Sequence, residues 1–430
     1  MYLTMRTVWA LVAGVVLVML VPRPATIVAW STVVLTAACL DAIAAPSPRR
    51  LRVTRSVARV VRLGESTTAT LTVFNDGPRQ VRAQVRDAWP PSAGATRERS
   101  TMELPPGQRR RSRTTLTPSR RGDRDADLVT VRIPGPLGLA GRQASLRCPA
   151  RLRVLPAFAS RRHLASRLAR LRELDGRSTV MVRGAGTEFD SLREYVVGDD
   201  VRSIDWRSTA RRGEVVVRTW RPERDRRVLI VLDTSRLAAA RLEDAPRLDA
   251  HMEAALLLSA LASRAGDRID VIAVDTALRM QVRGEAGPAL MSALADQFAP
   301  LEATLVEIDW TLVTSTVRRA LSQRALVVVL TALDGSGTDA SMVRALGALA
   351  TDHTLVVACA TDPGLEVLRQ TRADAESAYT AAAAEHDLVE LDAVRQRLLR
   401  AGAEVVQAPP GSLAPALADT YLALKAAGRL

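Results

Sequence analysis

Two apolar stretches, residues 7–21 and 25–45, open the chain and are parted only by Pro22, Arg23 and Pro24. No other feature constrains the fold as strongly, because apolar runs of this length must be buried in lipid or in protein. A proline-bounded break between them predicts a helical hairpin in a bilayer, with Trp9 and Trp30 among small and branched residues. The first run is short for a span of about 20 residues, but Tyr2, Leu3 and Met5 extend it if Arg6 reaches back to the headgroups. Asp41, near the end of the second run, is expected to reach the interface in the same way. Arg49, Arg50, Arg52, Arg55 and Arg59 follow at once, and such clusters favour the cytoplasmic side. Both hairpin ends, and the soluble domains after them, are therefore expected in the cytoplasm. A signal peptide is the rival reading, with Arg6 as its charged region. A second apolar run and the lack of a clean Ala-x-Ala site between the two speak against it.

The 430 residues are 47% hydrophobic, enough for two or three packed domains beyond the hairpin. The net charge of +14 is unevenly spread. Residues 46–227 carry 40 arginines against 19 acids, or +21, and residues 228–430 carry 18 basic residues against 26 acids, or −8; the first 45 add +1. That polarity suits an early segment facing a lipid bilayer with anionic headgroups, or an acidic partner. Lys425 is the only lysine, an arginine bias that also follows genomic base composition, so charge alone is discounted. Aromatics at 3% leave no repeated stacking platforms, and no nucleic acid partner is expected. Cys39, Cys148 and Cys359 show no Cys-x-x-Cys spacing, and the four histidines are scattered. A disulfide framework, a thiolate zinc site and a His-x-x-x-His metal helix are excluded.

Residues 51–156 read as strands with one buried face. Ala69, Leu71 and Val73 alternate with threonines, Val81, Ala83 and Val85 with polar residues, and Asn75-Asp76-Gly77-Pro78 makes the turn between them. The sum is an antiparallel, Ig-like β-sandwich over residues 48–156. Leu164, Leu168 and Leu171 then recur at helical spacing in a connecting helix that packs on a neighbouring domain or lies on a membrane. From residue 227 apolar strands at 228–232, 269–274, 325–330, 355–360 and 404–407 alternate with helical stretches. Strands buried on both faces and joined by helices predict a doubly wound, mostly parallel, Rossmann-like α/β domain. Neither a Gly-x-Gly-x-x-Gly nor a Walker A sequence occurs, so a standard nucleotide site is not supported.

The most distinctive segment runs from Gly184-Ala185-Gly186-Thr187-Glu188-Phe189 through Leu192-Arg193-Glu194-Tyr195 and Gly198-Asp199-Asp200 to Arg202 and Ile204-Asp205-Trp206. Ala210-Arg211, Gly213, Val217-Arg218 and Glu223-Arg224-Asp225 follow. In order and density these residues resemble the domain-of-unknown-function-58 family, with the likeness running from Arg177 to the C-terminus. The resemblance implies a von Willebrand factor A-like domain over residues 227–430, a membrane-held architecture, and genes that commonly sit beside a MoxR-type AAA+ ATPase. It thus suggests a non-enzymatic adaptor acting with such an ATPase in assembly or maturation of a complex.

Physically, the segment interleaves acids with arginines around aromatic residues, which predicts a buried or half-buried ion-pair network locking an extended arm. Glu188, Arg193, Tyr195, Asp199, Asp200, Arg202, Asp205, Trp206 and Arg211 are the candidate binding residues, with Trp206 and the arginines as anchors of a partner-docking surface. The alternative is a hydrolase-like enzyme using the acids from Glu188 to Asp205, but adjacent residues such as Asp199 and Asp200 diverge on a strand and seldom share a substrate atom.

The resemblance to von Willebrand factor A-like domains also raises a metal. Such domains hold a divalent cation through Asp-x-Ser-x-Ser after the first strand, with a later Thr and Asp; oxygen ligands suit a hard ion such as magnesium. Here the loop reads Asp233-Thr234-Ser235-Arg236-Leu237, so Leu237 stands at the second serine. Ala332 stands where the later Asp is expected, with Asp334 a substitute if its loop bends back, and Glu307 and Ile308 stand where the Thr is sought. Only Asp233 and Ser235 remain as candidate ligands of a degenerate, weak site.

The expectation is thus a multidomain chain: a transmembrane helical hairpin (1–47), the sandwich (48–156), a connecting helix with the distinctive segment (157–226) and the α/β domain (227–430).

Overall fold

The structure, a computed structural model, describes residues 1–181, 188–221, 226–334 and 339–430; side chains of residues 175–181, 188–191, 219–221 and 339 are outside the description. The chain divides into two compact units, Met1–Leu155 and Pro156–Leu430.

The first unit begins with a two-residue strand β1 (Tyr2–Leu3) and two helices, α1 (Met5–Leu20) and α2 (Pro24–Ala44). Pro24 at the first helical position suits the start of α2, where its missing N–H is not needed. The helices touch closely: Trp30 Nε1 donates to the Ala10 carbonyl at 3.0 Å, and a Cβ on Gly14 would lie 2.1 Å from the Trp30 ring. Only glycine fits there. Among the described residues, the helix beginning at Pro24 is long and apolar enough to cross a membrane, whereas α1 has 16 residues and falls short of that length. At 1.5 Å per residue α1 measures about 24 Å.

Nine further strands complete this unit: β2 (Leu51–Ser56), β3 (Val60–Arg62), β4 (Thr67–Asn75), β5 (Val81–Asp87), β6 (Ala95–Thr96), β7 (Arg99–Leu104), β8 (Arg109–Leu116), β9 (Gly122–Pro134) and β10 (Ala140–Leu155). They form a four-stranded sheet, β2-β4-β8-β6, and a six-stranded one, β1-β10-β9-β5-β7 with β3 added to β10. Alternation dictates the packing: Ala69, Leu71 and Val73 of β4 and Val81, Ala83 and Val85 of β5 are all buried. The pairing of β9 with β10 shifts register between Arg147 and Ala150, where Pro149 cannot donate to the ladder.

Asp41, expected at the membrane interface, is bound by the protein itself. It is 2% exposed, and its carboxylate accepts the backbone N–H groups of Leu137, Leu139 and Ala140 at 2.7, 2.8 and 2.9 Å. The turn between β9 and β10 presents donors that its own ladder leaves unpaired, and a buried carboxylate satisfies three at once. The Arg142 guanidinium donates to the carbonyls of Ala42 and Ile43, and β1 pairs with the start of β10. Both helix ends are thereby tied to the sandwich.

Arg55 is a correction to the surface arginine cluster. Its side chain is fully buried beside that of Asp87 at 2.7 Å, and it also donates to the carbonyls of Ala126, Leu128 and Cys148. Trp89 covers the guanidinium at 5.2 Å and donates its indole N–H to Asp87. One ion pair therefore joins the two sheets through the core. Removing one partner strands a buried charge, at a cost of about 3–5 kcal/mol. Asp87→Asn and Arg55→Leu should each show a loss of that size in chemical denaturation of the purified chain, while the double replacement Arg55→Leu with Asp87→Leu should recover much of it.

The second unit opens with α3 (Leu164–Met181), whose Leu171 is buried and whose Leu164, Leu168 and Leu174 pack against the same core. Helical spacing expected a connecting helix, and core packing is the role it takes. A ribbon of β11 (Glu188–Glu194) and β12 (Val216–Arg221) encloses α4 (Trp206–Arg212). Next come β13 (Arg227–Asp233), the short pair β14 (Arg241–Leu242) and β15 (Ala245–Pro246), α5 (Arg247–Arg264), β16 (Arg268–Val274), β17 (Leu278–Val282), α6 (Gly287–Phe298) and α7 (Trp310–Ala320). The chain ends with β18 (Leu326–Leu330), α8 (Asp339–Asp352), β19 (Thr354–Ala360), α9 (Pro363–Gln370), α10 (Ala375–Arg400), β20 (Glu404–Ala408) and α11 (Pro410–Ala426).

The large sheet has the order β17-β16-β13-β18-β19-β20, parallel except for β17. Val228, Ile230 and Leu232 face a layer built from α3, α5, α6 and α11. Leu229 and Val231 face α7, α8 and α10. Burial on both faces explains the unbroken apolar runs of the strands. The antiparallel edge strand β17 is an addition to the strands read from sequence.

Candidate functional site

The segment with the distinctive sequence is the ribbon and its connection. Asp205 caps α4, its Oδ1 accepting the Ser208 N–H at 2.9 Å, and its Oδ2 accepts from Arg218 Nε at 2.8 Å. These bonds, from Ser208 first and Arg218 second, hold the Asp205 carboxyl below the usual carboxylate range. Gly213 ends α4 at a φ of 78°, a conformation that favours glycine. Arg193 grips Asp199 through both guanidinium nitrogens, at 2.7 and 2.5 Å, and Asp199 also accepts the Val196 N–H. Asp200 accepts the Arg202 N–H and caps a single 3-10 turn. Tyr195 and Asp205 donate their backbone N–H groups to Val215 and Val216 across the connection.

The structure therefore separates the predicted residues by role. Asp199, Asp200 and Asp205 are spent on internal caps and pairs, and their partners Arg193 and Arg218 with them. Among the described residues there are two separate pairs in place of one network, and a two-stranded ribbon with one short helix offers little apolar surface to bury more. Trp206 is not enclosed by charges: it is 66% exposed. Val197 is 95% exposed, and Val196, Val201 and Val215 of the same connection are exposed too. Tyr195 is half-buried, while Arg202 and Arg211 point into solvent. Glu188 pairs by backbone with Arg221, and its side chain lies outside the described residues, as do Gly184 to Thr187 and Glu223 to Asp225.

A second constellation lies at the carboxyl ends of the parallel strands. The strand order reverses at β13, between β16 and β18, and open α/β sheets bind ligands at such a point. Asp233 ends β13, buried; it accepts the Ser235 N–H on Oδ1 at 2.8 Å and the Thr331 hydroxyl on Oδ2 at 2.6 Å. Burial pushes its carboxyl up, against the hydrogen bonds that hold it down. Asp275, just beyond β16, takes both oxygens to Arg279 and accepts the hydroxyls of Thr304 and Thr234. Burial would raise Asp275, but the bonds from Arg279 and Thr304 outweigh it and its carboxyl lies low.

This donor set does not fit a hard divalent ion. Asp233 is the one carboxylate facing Ser235 and Thr331, and its neighbour Asp275 is neutralised by a guanidinium. Asp334 bends back but meets Arg236 at 3.7 Å, as does Glu307 more closely. The threonine near Glu307 and Ile308 is Thr304, and it bonds Asp275 and the Thr234 carbonyl and not Asp233. Among the described residues Ser235 Oγ is buried without a hydrogen bond of good geometry, yet one hydroxyl beside one carboxylate is a poor cage. Among the described residues, no three His, Cys, Asp or Glu side chains converge. Sequence spacing missed Thr331, Asp275 and Thr304. The rule that polar groups gather beyond the carboxyl ends of parallel strands would have found the first two.

Beside this point, a cavity of about 250 Å³ lies under α9 and α10, lined by Leu333, Cys359, Leu365, Leu388 and Leu391 with Arg247 at its wall. Its carboxylates are committed: Asp362 accepts the Gly364 N–H and Asp392 pairs with Arg395. His251 nearby is neutral, its pKa pushed down to about 3 by burial and then by Arg247, and its Nε2 accepts the Ala360 N–H.

A family model described as "Protein of unknown function DUF58" matches residues 191–406, half of the chain. The chain belongs to this family. The match takes in the DUF58 ribbon from Ser191, its connection and the sheet through Val406. No curated protein matches. Among solved structures, the CARDB domain of PF1109 from Pyrococcus furiosus is similar at 17% identity over 24% of this chain, in a solution structure (94% of that chain, TM-score 0.20) and in a crystal structure with di-metal ions (87%, TM-score 0.19). A FixG-related protein from Vibrio parahaemolyticus is similar at 12% identity over 24% of this chain and 96% of its own, with a TM-score of 0.17. At those scores the likenesses carry no argument about this chain.

Asp233→Asn tests the metal question. Asparagine keeps the bond from the Ser235 N–H on Oδ1, donates from Nδ2 to the Thr331 hydroxyl oxygen in place of accepting from it, and removes a carboxyl whose charged form burial disfavours. The melting temperature should be no lower than that of the parent chain at neutral pH. Because the native carboxyl is raised, the gain should grow as pH rises through the carboxylate range and vanish in acid. Millimolar magnesium should leave both melting curves unmoved; a rise in the parent chain that Asp233→Asn abolishes would restore the metal.

Proposed function

We propose that this DUF58 protein is a membrane-anchored, non-enzymatic adaptor that works by protein–protein contact at the connection between β11 and β12. The observation that carries the reading is the division of labour there: the acids and their arginines are consumed in holding the loop, while Trp206, Val196, Val197 and Val201 are left in solvent. A tryptophan held out on a capped helix costs solvation unless a partner covers it, and tryptophan and arginine dominate binding energy at contact surfaces. Arg202 and Arg211, exposed beside it, supply charge for the rim of such a contact.

In this reading α1 and α2 form a two-span hairpin whose ends face the cytoplasm, consistent with the arginines that follow α2. The α/β unit is the von Willebrand factor A-like module, and its strand order agrees with a doubly wound domain whose cation site has been replaced by the Asp233–Thr331 bond. The partner is a MoxR-type AAA+ ATPase, as the family resemblance suggests, in assembly or maturation of a complex. The commitment of Asp199, Asp200 and Asp205 speaks against acid–base chemistry in the same segment, since a general acid or base needs a free carboxyl within reach of substrate.

Affinity isolation of the full chain from native membranes, tagged at Leu430 and run with and without ATP, tests this. An AAA+ ATPase should be recovered in an ATP-sensitive manner. Trp206→Ala should reduce recovery by about tenfold or more without lowering the melting temperature. Undiminished recovery from Trp206→Ala would move the contact elsewhere.

A further inference from the structure

The end of the sandwich beside the helices gathers Arg6, Arg49, Arg50, Arg79 and Arg142, from a domain rich in arginine. Residues 46–155 carry 23 arginines against 8 acids. The antiparallel registers bring the turns at 76–80, 105–108 and 135–139 to one end: Leu51 faces Asn75, Phe74 faces Arg109, Val81 faces Leu104 and Gly141 faces Pro134. That end is also where Asp41, Thr4 and Arg142 tie α1 and α2 to the turn between β9 and β10. The level at which the apolar helices leave the sandwich is therefore fixed by hydrogen bonds.

At this level the arginines are placed by contacts. A Cβ on Gly138 would come within 2.8 Å of an Arg6 guanidinium nitrogen, and one on Gly77 would lie 3.5 Å from Arg50 Cδ. Arg142 donates to two carbonyls of the last turn of α2. Arg49 and Arg79 are exposed alongside. Of the acids at this end, Asp41 is consumed by three backbone donors and Asp76 by Arg52; only Glu103 on β7 remains. Apolar side chains stand among these arginines: Leu3, Leu40, Ile43 and Leu137 are 53%, 62%, 68% and 61% exposed.

We propose that this end of the sandwich is a binding surface for anionic phospholipid headgroups, with Arg6, Arg49 and Arg50 taking the phosphate and Leu137 and Ile43 entering the acyl boundary. The inference rests on the membrane-anchored reading above. Guanidinium groups match phosphate oxygens in pairs, and exposed aliphatic residues interleaved with them suit the boundary between headgroup and hydrocarbon, not bulk water. Lipid is chosen over a soluble anion because the surface is continuous with the helices and half apolar.

The test is native mass spectrometry of the full chain released from nanodiscs of equal phosphatidylglycerol and phosphatidylcholine. Phosphatidylglycerol should be retained preferentially. The preference should fall about fivefold for each arginine removed in Arg6→Gln, Arg49→Gln and Arg50→Gln, singly and combined. A charge-matched control with Arg59→Gln, Arg113→Gln and Arg120→Gln, toward the other end of the strands, should keep it. Equal retention of both lipids by the parent chain, equal loss in the control, or displacement of the lipid by excess inorganic phosphate would each overturn the surface as a lipid site. Release of the chain from native membranes by alkaline carbonate would instead overturn the anchor reading, so the two failures are distinguishable.

Discussion

The carboxylate of Asp41 carries more of the first unit than any other single group. It accepts three backbone N–H groups from a turn that neither sheet can satisfy, and it does so from within the last turn of α2. Replacing it would leave three backbone donors without this partner, and the buried one, the Ala140 N–H, alone costs about 1–3 kcal/mol. The close approach this bond demands also explains Gly135, where a Cβ would lie 2.3 Å from the Asp41 oxygens. Because the helix and the turn share this carboxylate, the helices are part of the sandwich and not a tether to it.

Much of the second unit was legible because its strands are buried on both faces. Such strands read as apolar runs between helical stretches, and β13, β16, β18, β19 and β20 all fall where those runs are. The edge strand β17 was not legible: Leu278-Arg279-Met280-Gln281-Val282 is short and alternates weakly, and only pairing with β16 makes it a strand. In the sandwich, alternation placed β4 and β5, whereas β1 is two residues long and takes its identity from β10, far along the chain. Arg55 looked like one member of a surface cluster. Its burial depends on Asp87, Trp89 and three carbonyls that sequence spacing does not bring together.

The candidate site was legible in composition and not in role. Charge alternation predicts ion pairs around Arg193 and Asp205, and among the described residues these are two local pairs with helix caps in place of one network, with Trp206 turned outward. Capping by Asp205 is visible in Asp-Trp-Arg-Ser once a helix is known to start there. At the sheet, Asp233 and Ser235 were visible from their loop, while Thr331 and Asp275 arise from strand order. At Asp233 the Thr331 hydroxyl closes the loop by a hydrogen bond across the ends of two neighbouring strands.

The pairing of β1 with β10 sets an order on biosynthesis. Tyr2 and Leu3 meet Gly141 and Ala140, so the first residues made have no partner until about 140 more have been added. The helices and the strands up to β9 are complete before that edge can close. A chain cut short before the turn at 135–139 leaves the Asp41 carboxylate without its backbone donors. The late strand is thus a completeness check built into the earliest segment: only a full-length first unit can hold its own N-terminus.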